Sequence, residues 1–212
     1  MELKAESDPK GKFRRACIRI NRHFPAHLPP LMVLTDPYRT PDPIALALSL
    51  PPGTGLIYRH FGAEDRQDIA DRLARIAKHR GLCFLLGNDP ELARHVKADG
   101  VHWSEARMGD AKPWRRSFFV MTAAAHSRLA ISRASALKLD AILVSTIFPS
   151  NSSSAKAAMG PFALRKLEKV SRHPIYALGG INAHNVQQIA RFAGAASIEG
   201  AAKAFLASEN TG

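Results

Sequence analysis

The sequence predicts an α/β protein, a single-domain (β/α)8 (TIM) barrel, and three observations carry that expectation. Short apolar runs recur about eight times along the 212 residues and alternate with helical patterns. The runs are continuous, as in Leu31–Thr35 (LMVLT) and Cys83–Leu86 (CFLL), where strands with one wet face would alternate in period two. Eight units of roughly 20–25 residues fit a compact closed barrel. A doubly wound open sheet shares the alternation, but no G-x-G-x-x-G follows the first strand.

In chain order, residues 1–30 read as a basic N-terminal extension, partly helical or disordered, with Arg15–His23 able to make a short helix. The barrel is expected over 31–207 and a short tail over 208–212. Leu31–Thr35 is the first strand, ended by Asp36-Pro37. Ile44–Leu50 is a short helix closed by Pro51-Pro52, and Leu56–Phe61 is the second strand. Glu64–Arg80 is an amphipathic helix with Ile69, Leu73 and Ile76 on one side and Gly81 at its end. Strand three is Cys83–Leu86, followed by a helix from Pro90 to Val96 that Asp89 is suited to cap. Gly100–Trp103 and Phe118–Met121 are strands four and five, joined by a loop over Glu105–Arg116 with at most one helical turn. Then come a helix over Ser127–Lys138, strand six over Ala141–Phe148 and a helix over Pro161–Arg172. Strand seven over Ile175–Leu178, a helix over Asn182–Phe192, a weak eighth strand over Ala195–Gly200 and a helix over Ala201–Ala207 complete the barrel.

Composition narrows the function classes. Hydrophobic content of 46% and charged content of 23% suit a soluble globular domain. No apolar run reaches the ~18–20 residues of a membrane span, and the polar N-terminus lacks a signal-peptide core, so a cytoplasmic protein with no membrane partner is expected. Cys17 and Cys83 have no metal-ligand spacing and read as two reduced thiols. Thirty basic residues against 18 acidic ones give a net charge of +12. Such a field concentrates anionic small substrates, although a general surface bias gives the same sum. Nucleic acid is not the expected partner, since no recognised binding motif accompanies the charge. A homodimer is left open.

Two strand ends hold the chemistry. The run Ala141–Val144 passes through Ser145 and Thr146 into a loop with Ser150, Ser152, Ser153, Ser154 and Lys156, so hydroxyls and an ammonium gather at its C-terminal end. The run PIYALGGI (Pro174–Ile181) ends in Gly179-Gly180, where missing side chains let backbone N–H groups approach a phosphate. Together these predict an anion-binding mouth. Trp103 and Trp114 read as packing residues.

The segments LGNDPELA (Leu86–Ala93), ADGVHWSE (Ala98–Glu105), AHS (Ala125–Ser127), LDAILVSTIFPS (Leu139–Ser150) and YALGGINAHN (Tyr176–Asn185) give the chain its family likeness. In this order it resembles the thiamine phosphate synthase/TenI family, from about Leu31 to Ala201. The resemblance implies a TIM barrel of thiamine biosynthesis. Synthase members join hydroxymethylpyrimidine diphosphate to thiazole phosphate with Mg2+ and release pyrophosphate. TenI members include a metal-free thiazole tautomerase, and a non-catalytic phosphate-ligand-binding regulator is a third reading. The implied partner is a small phosphorylated heterocycle.

Residue by residue, Arg59 matches the arginine of the family's Q-L-R-x-K strand end, implying a grip on diphosphate, while Ile57 and Phe61 replace the glutamine and lysine. Asn88 matches the family amide for the diphosphate and Asp89 the carboxylate for Mg2+. The second metal aspartate falls at Arg107, a cation in an anion's place, and Asp110 substitutes only if the loop rearranges. Arg107 is also able to stand in for part of the metal's charge. G-x-S-x-H reads Thr122-Ala-Ala-Ala-His126, which keeps the histidine that TenI tautomerases are proposed to use as proton carrier. T-x-T-K reads Ser150-Asn-Ser-Ser153. Ser150 and Ser152 keep hydroxyls there, and Lys156 lies three residues beyond the family lysine. Gly179 and Gly180 are intact. His102 and Ser145, at other strand ends, are further candidates, and Glu199 stands where apolar residues are common.

Overall fold

A computed structural model describes residues 8–150 and 157–207. Residues 1–7, the tail over 208–212, and Ser152 and Lys156 lie outside the described residues. Eight strands close into a parallel barrel in sequence order. They are β1 Leu31–Leu34, β2 Gly55–Tyr58, β3 Cys83–Gly87, β4 Gly100–Trp103, β5 Val120–Ala125, β6 Ala141–Val144, β7 Ile175–Ala177 and β8 Gly194–Ser197. The seam is the β1–β8 pairing, with Leu31 opposite Ala195 and Val33 opposite Ser197. All strand residues but Cys83 and Ala124 are buried, as cover on both faces requires.

The helices are α1 Pro9–Ile20, α2 Pro43–Ser49, α3 Arg66–Arg80, α4 Pro90–His95, α5 Arg128–Ala136, α6 Gly160–Val170, α7 Val186–Ile189 and α8 Glu199–Leu206. Their starts follow local chemistry. Asp42 accepts the N–H groups of Ile44 and Ala45, Asp89 that of Leu92 and Ser127 that of Ala130, each satisfying a first-turn donor. Gly81, at φ +66°, ends α3 in the left-handed conformation.

Strands β2, β6 and β8 end earlier than expected, at Tyr58, Val144 and Ser197, and four other segments differ from the sequence expectation. The first helix begins at Pro9, well before Arg15, because Asp8 accepts the Gly11 N–H at 2.7 Å and Pro9 occupies the first turn. Phe13, Ala16 and Ile20 share its buried side. Phe13 stacks on Phe205 of α8 at 5.8 Å, and Gln187 of α7 donates to the Lys12 carbonyl at 2.9 Å. The chain from α1 then closes the barrel floor. There Phe24 meets the Tyr176 ring at 4.9 Å, and the Tyr176 hydroxyl donates to the Pro29 carbonyl at 2.6 Å. Strand β5 begins at Val120 and continues through Ala125, a run of alanines whose small side chains carry little apolar weight. A 3-10 helix over Met108–Trp114 occupies the expected loop and buries Met108 and Ala111. Helix α7 is only four residues long, because Asn182 and Asn185 are spent on the turn before it.

Both thiols are free, and burial pushes Cys17 up to about 11 and Cys83 up to about 12, which keeps them protonated. Among the described residues no helix is long and apolar enough to cross a membrane.

Candidate active site

The C-terminal ends of the strands surround a cavity of about 610 Å3. Arg59, Asn88, His102, His126, Ser145, Ser150, Gly179 and Gly180 all line it. Asp89 and Arg107 do not. Strand β2 lies four places from β6 around the closed barrel, and β3 four places from β7. Arg59 and Asn88 therefore stand across the mouth from Ser145, Ser150 and the two glycines.

The glycine side is a backbone construction. Gly179 and Gly180 have φ +91° and +66°, and a Cβ on Gly180 would lie 2.4 Å from the Pro149 carbonyl oxygen. Only glycine lets β7 turn this close to the β6 loop. The carbonyls of the turn are already taken. Gly179 accepts the Phe148 N–H at 3.0 Å, and Gly180 accepts the Asn185 and Asn182 side-chain amides at 2.8 and 3.2 Å. The N–H groups of Gly179 and Gly180 meet no acceptor among the described residues. Beside them, Ile198, Glu199 and Gly200 bring the start of α8 to the cavity wall. Ser197 ties the two loops, donating to the Ile181 carbonyl at 2.9 Å and accepting the Ala201 N–H at 3.0 Å. Free N–H groups beside a helix start are an anion-binding arrangement.

The opposite side is built on guanidinium groups. Arg59 follows β2, and its backbone N–H donates to the Thr35 hydroxyl at 2.8 Å. Its Nη2 lies 3.7 Å from Asp36 Oδ2, the same oxygen that Arg39 Nη2 approaches at 2.7 Å. The Arg39 hydrogen bond holds the Asp36 carboxyl down at about 2. Burial lowers the Arg59 guanidinium, and Asp36 offsets only part of that effect while the neighbouring Arg39 charge adds to it. Arg59 Nε is buried and has no partner among the described residues. Asn88 sits at φ +53°, a conformation asparagine tolerates, with its Oδ1 accepting the Ser104 N–H at 2.7 Å. That bond commits the oxygen and leaves the NH2 group as the donor toward the cavity.

Two histidines differ in kind. His102 is buried on β4, its Nδ1 2.9 Å from the Thr122 hydroxyl. Desolvation, followed by the Arg59 charge, pushes it down to about 3, so it is a neutral imidazole near pH 7. His126 is exposed at the end of β5. Its backbone N–H donates to Glu105 at 2.6 Å, and its Nδ1 lies 2.9 Å from Ser145 Oγ. With Nδ1 engaged by Ser145, Nε2 is the nitrogen left for a ligand.

The implied Mg2+ site does not fit these residues. Asp89 caps α4 through Oδ1, and its Oδ2 lies 3.6 Å from Arg66 Nε. Arg107 donates through Nη1 to the Asn88 carbonyl and through Nε to Asp110, both at 2.9 Å. Asp110, the substitute ligand, is thus paired with a cation. Among the described residues no three His, Cys, Asp or Glu side chains gather to hold a metal.

Sequence reasoning missed Arg39, Asp36 and Glu105. Asp36-Pro37 marks the end of the first strand in the sequence, and an aspartate there suits a turn closed on its own backbone, but the Asp36–Arg39 side-chain pair shows only in the structure. The Glu105–His126 bond spans 21 residues and leaves no local trace.

Fold and mouth together define a (β/α)8 barrel whose cavity offers anion donors from two facing sides. A family model described as thiamine monophosphate synthase matches residues 47–202. The chain belongs to that family. It is 31% identical over 182 residues to the thiamine-phosphate synthase of Alcanivorax borkumensis, covering 79% of this chain and 81% of that protein. It is 33% identical over 129 residues to the thiamine-phosphate synthase of Geobacillus kaustophilus, covering 59% of this chain and only 58% of that relative. Among solved structures, thiamine phosphate pyrophosphorylase from Pyrococcus furiosus shares the fold. The TM-score is 0.69 at 22% identity, over 86% of this chain and 96% of that one.

Proposed function

We propose that the protein is an enzyme of thiamine biosynthesis of the thiamine phosphate synthase type. In this reading it holds thiazole phosphate by its phosphate on the Gly179–Gly180 turn and hydroxymethylpyrimidine diphosphate at Arg59 and Asn88. The observation that carries the reading is the facing of these two anion-binding ends across one cavity, with His126 between them in strand order. Two substrates with one anionic group each are then held with their rings directed inward, which lowers the entropic cost of their meeting. As the bond between the pyrimidine's methylene carbon and the diphosphate oxygen breaks and the thiazole nitrogen bonds to that carbon, negative charge grows on the leaving diphosphate, where the Arg59 guanidinium and the Asn88 amide are poised to stabilise it. His126, with Nε2 uncommitted, is the group placed to accept or supply a proton.

A second reading, the TenI-type tautomerase, is favoured by the pairing of Asp89 with Arg66 and the presence of Arg107 where the second metal carboxylate belongs. It uses the same phosphate anchor and His126 alone. Turnover separates the two. Incubation with thiazole phosphate and hydroxymethylpyrimidine diphosphate, followed by pyrophosphate release, is expected to give thiamine phosphate. A protein that binds thiazole phosphate and isomerises its tautomer, yet releases no pyrophosphate, is the tautomerase. Absence of thiazole phosphate binding overturns both.

A further inference from the structure

We propose that the diphosphate end of the cavity neutralises its ligand with guanidinium groups in place of a divalent cation, and that Arg39, paired to Arg59 through Asp36, is a diphosphate-binding residue. The inference rests on the synthase reading above and adds to it the means of charge compensation.

The argument starts at the end of β1. Asp36 Oδ1 accepts the backbone N–H groups of Tyr38 and Arg39, each at 3.1 Å, so the loop folds around its own carboxylate. Oδ2 then takes Arg39 Nη2 at 2.7 Å and faces Arg59 Nη2 at 3.7 Å. One carboxylate between two guanidinium groups leaves one net positive charge. Both arginines line the cavity, and their side chains are only 26% and 25% exposed. Each keeps further N–H donors beyond the one aimed at Asp36, in the planar fork that suits phosphate oxygens. Asp36 therefore acts as the positioning residue for a two-arginine clamp.

The metal-ligand positions point the same way. Mg2+ demands oxygen ligands in near-octahedral array. Asp89 already has a cation beside it, and that cation is itself fixed. Arg66 donates to the His60 and Gly87 carbonyls at 2.9 and 3.1 Å and lies 5.3 Å from both the Tyr58 and Phe61 ring centres. A metal at Asp89 would have to compete with this largely covered guanidinium. At position 107 the chain presents a third arginine, anchored on the carbonyl of the diphosphate-binding Asn88. Positive charge that a metal would bring is thus supplied at the wall by Arg39 and Arg59, with Arg107 behind Asn88.

The test is calorimetric titration of inorganic pyrophosphate into the full chain, in EDTA and in millimolar Mg2+, at fixed ionic strength, with thiazole phosphate titrated in parallel. The expected result is binding in EDTA at least as tight as in Mg2+, weakened about tenfold or more by Arg39→Ala and less by Arg39→Lys, which keeps charge without the fork. Far-UV circular dichroism of each variant establishes its fold, and the wild-type comparison of EDTA with Mg2+ needs no variant. Binding seen only with Mg2+ overturns the proposal, as does unchanged affinity in a folded Arg39→Ala protein. Thiazole phosphate binding without pyrophosphate binding also overturns it while leaving the thiazole phosphate reading in place. Absence of both overturns that reading itself.

Discussion

Replacing Gly180 by alanine tests the phosphate anchor through its geometry. At φ +66° a residue with a Cβ pays roughly 1–2 kcal/mol for the left-handed conformation. The added carbon would also stand 2.4 Å from the Pro149 oxygen and 2.7 Å from the Phe148 oxygen. Both are backbone atoms, so the β6 loop must shift, at the roughly 1–3 kcal/mol typical of overpacking. The sum is about 2–5 kcal/mol. At about 2–4 °C per kcal/mol for a chain of this size, the unfolding midpoint should fall by roughly 4–20 °C. Gly53 is the control, since its φ of +77° carries the same conformational cost with nothing within 4 Å of an added Cβ. Gly53→Ala should therefore lose only the smaller first part. Thermal unfolding reads both variants, and calorimetry with thiazole phosphate should show Gly180→Ala weakened about tenfold or more while Gly53→Ala binds normally. A Gly180→Ala protein with the midpoint and affinity of wild type would refute the close approach and the anchor drawn from it.

Four further outcomes are expected. His126→Ala should cut turnover by about 10²–10⁴-fold while thiazole phosphate affinity stays within a few-fold, as steady-state kinetics and calorimetry will show. Asp36, held at about 2 in the folded chain against an ordinary 3.8, contributes stability that is present above pH 4 and lost as pH falls toward 2. Asp36→Asn should therefore lower the unfolding midpoint at pH 7, with the difference shrinking below pH 4. His102, held neutral down to about 3, works in the same sense over a wider window. Between its ordinary 6.5 and 3 the unfolded chain takes up a proton that the folded chain refuses, so stability falls as pH drops through that window and His102→Gln should flatten the slope. Finally, Phe13→Ala should cost about 3–5 kcal/mol in chemical denaturation, because Phe13 is fully buried against Phe205.

How much of this the sequence disclosed follows from the physics of each part. Strands buried on both faces leave unbroken apolar runs, so Leu31–Leu34 and Gly100–Trp103 were legible to within a residue. Strand β5 was misplaced because Ala123, Ala124 and Ala125 signal neither strand nor helix. Helix α1 announced itself only through Asp8-Pro9, while Lys10, Lys12, Arg14 and Arg15 hid the three residues that anchor it. At the mouth, Gly179-Gly180 could be read because the backbone itself demands glycine there. The Arg39–Asp36–Arg59 cluster could not, since it depends on two strand ends meeting 23 residues apart in sequence. Asp89 shows the converse. Its sequence position suggests a metal ligand, and only the fold reveals Arg66 beside it.

The most direct measurement is a crystal structure with thiazole phosphate bound. The account predicts the phosphate within hydrogen-bonding distance of the Gly179 and Gly180 main chain, with the ring directed into the cavity toward His126. A phosphate found at Arg39 and Arg59, or outside the barrel mouth altogether, would contradict it.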